Sequence, residues 1–163
     1  MSLAQPPGCR STTAYLGGSW DFVRIDGGRL HFLTELENIC AILPSDLDRS
    51  IFRSEFKRLL KRAETGKLTL TVDDIKGDVD LMQSQTDVLE IRMMTRRSTS
   101  GEDLLIRMYF SEPDTHPDLL LGLLLTWKSP GPIGLEEQDV HAAEAQRRCD
   151  AWRALQVLPR ASE

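Results

Sequence analysis

A chain of 163 residues suits one domain, since a core of ordinary size forms at about 100–150 residues and a second would be cramped. At 40% hydrophobic and 28% charged, its composition is that of an ordinary globular protein and excludes disordered and membrane-spanning classes. A net charge of −5, from 20 basic and 25 acidic residues, excludes a protein whose whole surface grips nucleic acid.

The first eighteen residues, with QPPG, STT and GG, lack hydrophobic periodicity and read as a flexible tail before a single domain over 19–158, with a second tail over 159–163. SWDFVRID, Ser19 to Asp26, alternates and then meets GG, which predicts a short strand and a turn. From Arg29 to Leu43 the apolar positions Leu30, Leu33, Leu36, Ile39, Cys40 and Leu43 recur at three and four, the spacing of one helical face. Pro44 breaks that helix and Ser45 caps the next. In the second helix Leu47, Ile51, Phe52, Phe56, Leu59, Leu60 and Ala63 keep the period as far as Gly66. Arg49, Arg53, Lys57 and Lys61 fall four apart, so they line one basic stripe away from the apolar face, suited to RNA or a protein partner or simply to solvent.

Lys67 to Thr86 reads as mostly irregular, because its aspartates and turn residues outweigh the alternation in LTLTV. Val88 to Arg96 and Asp103 to Ser111 read as two strands joined by RSTSGED. LLLGLLLTW, Leu119 to Trp127, is apolar throughout, as a strand covered on both faces would be, or a buried helix. Leu135 to Leu155 closes the chain as a helix with Leu135, Val140, Ala143, Ala151, Trp152 and Leu155 on its apolar stripe. The order βααβββα predicts an α+β fold: a small, mainly antiparallel sheet with an N-terminal helical hairpin and a C-terminal helix.

The longest apolar run is far short of the roughly 20 residues of a membrane helix, and no signal-like segment opens the chain, so a cytoplasmic location is expected. Cys9, Cys40 and Cys149 are odd in number and dispersed, and His31, His116 and His141 show no ligand spacing; neither a disulfide framework, a metal nor another cofactor is expected.

Several local strings resemble the RelE/ParE toxin superfamily, in particular its HigB-like, phage-associated branch. They are VLEIR with Arg92, LLIRMYF with Arg107, LLLTWK with Lys128, and the following helix DVHAAEAQRR, within a likeness running from Trp20 to Trp152. The resemblance implies the toxin of a toxin-antitoxin system, a ribosome-dependent endoribonuclease that cuts messenger RNA and is neutralised by an antitoxin protein. Metal-independent cleavage proceeds by attack of a ribose 2′-hydroxyl on the adjacent phosphate, so the site must stabilise added negative charge and assist proton transfer. On that reading Arg92 and Arg107 hold phosphate oxygens, Lys128 adds a third positive group, and His141, or else Tyr109, moves the proton. Read without the resemblance, the two arginines suit ion pairs with Glu90 or Asp103, and His141 and Lys128 suit solvent. The alternative function is a catalytically inert phage- or plasmid-derived protein of the same fold that binds a protein partner.

Overall fold

The computed structural model describes residues 9–25, 28–82 and 84–157. After a 3-10 turn at Arg10–Thr12 come β1 (Ser19–Phe22), α1 (His31–Ile42), α2 (Asp46–Glu64), β2 (Val79–Leu81), β3 (Leu89–Arg92), β4 (Arg96–Arg97), β5 (Asp103–Ser111), β6 (Leu119–Lys128) and α3 (Gly131–Val157). The helical hairpin follows from local chemistry. Leu43 is extended, as a residue before proline must be, and this ends α1. The Ser45 hydroxyl then accepts the Asp48 backbone N–H at 3.1 Å, with Asp46 and Asp48 at the positive end of α2 and Lys61 and Arg62 at its negative end.

The expected small, mainly antiparallel sheet in a βααβββα chain is corrected: the sheet is mixed and has six strands, in the order β1-β6-β5-β3-β2, with β4 paired to β5. Two findings overturn the expectation. β1 lies parallel to β6, Ser19 opposite Leu119 through Phe22 opposite Gly122. The segment read as irregular contributes β2, antiparallel to β3. The resulting order is βααβββββα.

The sheet separates two cores. On one face α1 and α2 press Ile39, Cys40, Phe52, Phe56 and Leu59 onto Ile91, Ile106, Met108 and Phe110. On the other, α3 lays Ala142, Ala145 and Cys149 against Tyr109, Leu121 and Leu123. A register shift between Tyr109 and Phe110, opposite Leu124 and Gly122, leaves Leu123 as an extra residue in β6. Gly122 is required beside it, because a Cβ there would meet the Phe22 ring at 2.2 Å.

The expected apolar stripe of the last helix is also corrected. Trp152 does pack on the core, but Leu135, Val140 and Leu155 are exposed, and α3 instead buries Gly134, Ala142, Ala145 and Cys149. Small residues let the helix axis come close to the sheet, where its longer inward neighbours Gln138 and Arg148 reach polar partners. Among the N-terminal residues read as a tail, 1–8 lie outside the described residues, as do those of the second tail, but Cys9 and Ser11 are buried. Glu112 accepts the backbone N–H groups of Arg10 and Ser11 at 2.7 and 2.6 Å, and the Arg10 guanidinium donates to the Leu119 carbonyl at 2.7 Å.

β1 ends before β6 does, so among the described residues part of the β6 edge has no strand beside it. Side chains replace the missing strand: Glu35 of α1 accepts the Leu125 N–H at 3.2 Å and Arg148 of α3 donates to the Leu123 carbonyl at 2.9 Å. The two pair with each other at 3.1 Å, joining helices from opposite faces around the sheet edge.

Candidate functional site

Strand register assembles the cluster. Arg92 lies opposite Arg107, Glu90 opposite both Tyr109 and Asp80, and Tyr109 opposite Leu124, with Lys128 at the end of β6 opposite Leu105. Like charges therefore face each other across the strands, an arrangement that destabilises unless the diagonal neighbours compensate. They do: Arg92 pairs with Asp80, and Arg107 Nε lies 3.4 Å from Glu90 Oε1. From α3 above, Gln138 donates to Glu90 at 3.0 Å and accepts from Lys128, while the His141 ring meets Tyr109 edge-on at 6.3 Å between centroids.

All five residues proposed for catalysis, Arg92, Arg107, Tyr109, Lys128 and His141, thus belong to one connected cluster under α3. The centre of the cluster is buried, although the Arg92 side chain is 30% exposed. Tyr109 is 0% exposed, Glu90 1% and Arg107 8%. Arg107 Nη1 donates to the Ile106 carbonyl at 2.8 Å, and its Nε meets Glu90 as an ion pair. The open groove beside the cluster, about 910 Å³, is bordered by Asp73, Asp80 and Asp139 and by no arginine or lysine. An incoming phosphodiester would meet carboxylates first and would have to displace Asp80 and Glu90 from the guanidinium groups. Asp103, the other partner considered for the sheet arginines, pairs with Arg97 instead at 3.6 Å.

Burial governs the titration of this network. It raises Glu90 above the usual carboxylate range despite Arg107 nearby, and raises the Tyr109 hydroxyl well above an ordinary tyrosine. It also lowers Lys128 and keeps His141 neutral to lower pH than a free histidine. Glu35 and Glu112 are likewise raised by burial, whereas hydrogen bonds from Arg147 hold Glu144 down to about 2.

The sign of the pH dependence follows. Raised carboxylates make the folded state the better proton binder above pH 4.5, so their contribution is greatest in acid and is lost as pH rises through their folded pKa values. His141 works in the opposite direction, costing stability as pH falls below 6.5. In His141→Gln protein the urea midpoint should rise from pH 7 to about 4.5 and fall from there towards pH 2, as Glu144 loses its arginines. A monotonic fall from pH 7 would show that the buried carboxylates are already charged at no cost.

The second set of candidates lies elsewhere, on the outer face of α2. Arg49 is occupied, pairing with Asp46 and donating to the Leu43 carbonyl. Arg53, Lys57 and Lys61 are exposed, and among the described residues none of them makes an ion pair, nor does Arg58. Arg58, part of the same basic segment, falls off the four-residue stripe but shares its exposed face. Asp80 and Gln138 were missed because only the β2–β3 register and the docking of α3 bring them to the cluster.

No family model, curated protein or solved structure matches this chain. Among the described residues no helix is long and apolar enough to cross a membrane.

Proposed function

We propose that this is a catalytically inert binding protein of the cytoplasm that engages an acidic protein partner through the exposed face of α2. One observation carries the reading: Arg107 and Lys128 are buried beside Glu90 under α3, whereas Arg53, Lys57, Arg58 and Lys61 are exposed and, among the described residues, unpaired. Four like charges within three turns of helix repel one another by amounts that a partner's carboxylates would relieve. On a chain of net charge −5 they also orient the molecule for encounter, basic face first.

A second reading keeps the RelE/ParE likeness and the messenger-RNA cleavage it implies. What favours it is the convergence of Arg92, Arg107, Tyr109, Lys128 and His141 on one sheet face. It requires α3 to lift, so that Gln138 releases Lys128 and Glu90.

The two separate in one experiment. Induced in a bacterial host, the inert protein leaves growth and transcript ends unchanged, and the purified chain binds polyglutamate with an affinity that falls steeply with salt. Arg53→Glu/Lys57→Glu/Lys61→Glu should weaken that binding at least about 100-fold, as expected for three reversed contacts at a charged interface. New transcript ends that disappear in Arg107→Ala protein of intact fold would replace this reading with the nuclease.

A further inference from the structure

Leu47 and Ile51, which the helical period assigns to the apolar stripe of α2, are exposed, Ile51 by 45%. Met94, just beyond β3, is 63% exposed and lines the same groove as Ile51. Its backbone is held in place, because the Met94 N–H donates to Glu55 at 3.1 Å and Glu55 in turn pairs with Arg96 at 3.1 Å, both largely buried. Ile51, Met94 and Arg58 border one shallow groove of about 330 Å³. Ser54 borders that groove and also the two that contain Arg53, Lys57 and Lys61. The apolar and the cationic surfaces are therefore continuous, separated by a small side chain that permits close approach.

We infer that the partner presents an acidic amphipathic helix to this surface, setting apolar side chains on Ile51 and Met94 and carboxylates against Arg53, Lys57, Arg58 and Lys61. The inference rests on the binding role proposed for α2 and names the chemistry of its partner. Charge complementarity selects an acidic partner, and the apolar strip selects among acidic partners. A nucleic acid would use the cations but gain nothing from Ile51 and Met94, and among the described residues this face carries no exposed aromatic ring on which a base could stack. A helix with apolar residues three and four apart uses both surfaces at once. From Leu47 to Lys61 the surface is about 21 Å long at 1.5 Å per residue, the length of roughly four helical turns.

The test uses the full chain and fluorescence anisotropy with three labelled probes. The first is an acidic peptide of about 18 residues with leucines at helical spacing, the second has the same composition with the leucines scrambled, and the third is a single-stranded RNA of similar charge. The spaced peptide should bind at least about tenfold more tightly than the scrambled one, and Ile51→Ser/Met94→Ser should remove that advantage while leaving the weaker, salt-sensitive binding of the scrambled probe. Both side chains are exposed, so the fold should tolerate the change. Equal binding of the two peptides, an advantage that survives Ile51→Ser/Met94→Ser, preference for RNA, or no peptide binding overturns the inference. If Arg53→Glu/Lys57→Glu/Lys61→Glu leaves peptide binding intact, the proposed role of α2 fails with it; if that variant loses binding but Ile51→Ser/Met94→Ser does not, only the amphipathic helix is lost.

Discussion

Glu90→Ala should be among the most damaging single substitutions in this protein, lowering the free energy of unfolding by about 3–5 kcal/mol. Glu90 is the carboxylate nearest the buried Arg107, and it also accepts from Gln138 of α3. Its removal leaves a guanidinium that cannot lose its proton beside Lys128, both largely out of water, with Asp80 already committed to Arg92. The ammonium of Lys128 has an escape, since burial lowers its pKa and so the cost of losing its proton, but Arg107 does not. Replacing both partners, Glu90→Leu/Arg107→Met, should cost far less than Glu90→Ala alone, because no unpaired charge stays behind. Urea unfolding of Glu90→Leu, Arg107→Met and the double variant measures the coupling directly. A stable Glu90→Ala protein would mean that Arg107 is free to turn outward, and would reopen the cluster to an anionic ligand.

Gly66→Ala should cost at least about 2 kcal/mol, through two effects that add. Gly66 sits at φ +69°, where any side chain is strained, and a Cβ there would lie 1.8 Å from the Thr13 carbonyl oxygen. That oxygen belongs to the N-terminal segment held against the end of α2, where Leu68 donates to the Ser11 carbonyl at 3.1 Å. Gly101→Ala supplies the comparison, since Gly101 has φ +84° and nothing within 4 Å of the added carbon. The difference between the two urea midpoints isolates the clash. Trypsin should also cut faster after Arg10 in Gly66→Ala than in Gly101→Ala, because the segment must move away to make room. Equal losses in both variants would show that the segment yields freely.

That packed segment was illegible in the sequence for a physical reason: it is held by backbone groups meeting Glu112, Asp118 and Glu64 rather than by a periodic apolar face. α1 and α2 were legible because Ile39, Cys40 and Leu43, and then Phe52, Phe56, Leu59 and Ala63, repeat at helical spacing and do fill a core. The same rule misled over most of α3, where Leu135, Val140 and Leu155 are exposed and only Trp152 of the large stripe residues packs on the core, while Ala142, Ala145, Cys149 and Gln138 face the sheet. β2 has only three residues among aspartates, too few for alternation to register. Its pairing with β3 is what supplies Asp80 to Arg92. The cations of the cluster could thus be picked out singly, but their pairing with Asp80 and Glu90 depended on register and helix docking.

The clasp of Glu35 and Arg148 bears on how the chain fares in company. A bare stretch of β6 would offer an amide and a carbonyl, flanked by leucines on both sides, to any extended segment that drifted past, including β6 of another copy. With the carboxylate and the guanidinium in place, that invitation is withdrawn without lengthening β1. These two side chains decide whether the molecule stays a closed unit or becomes the first rung of a growing ladder.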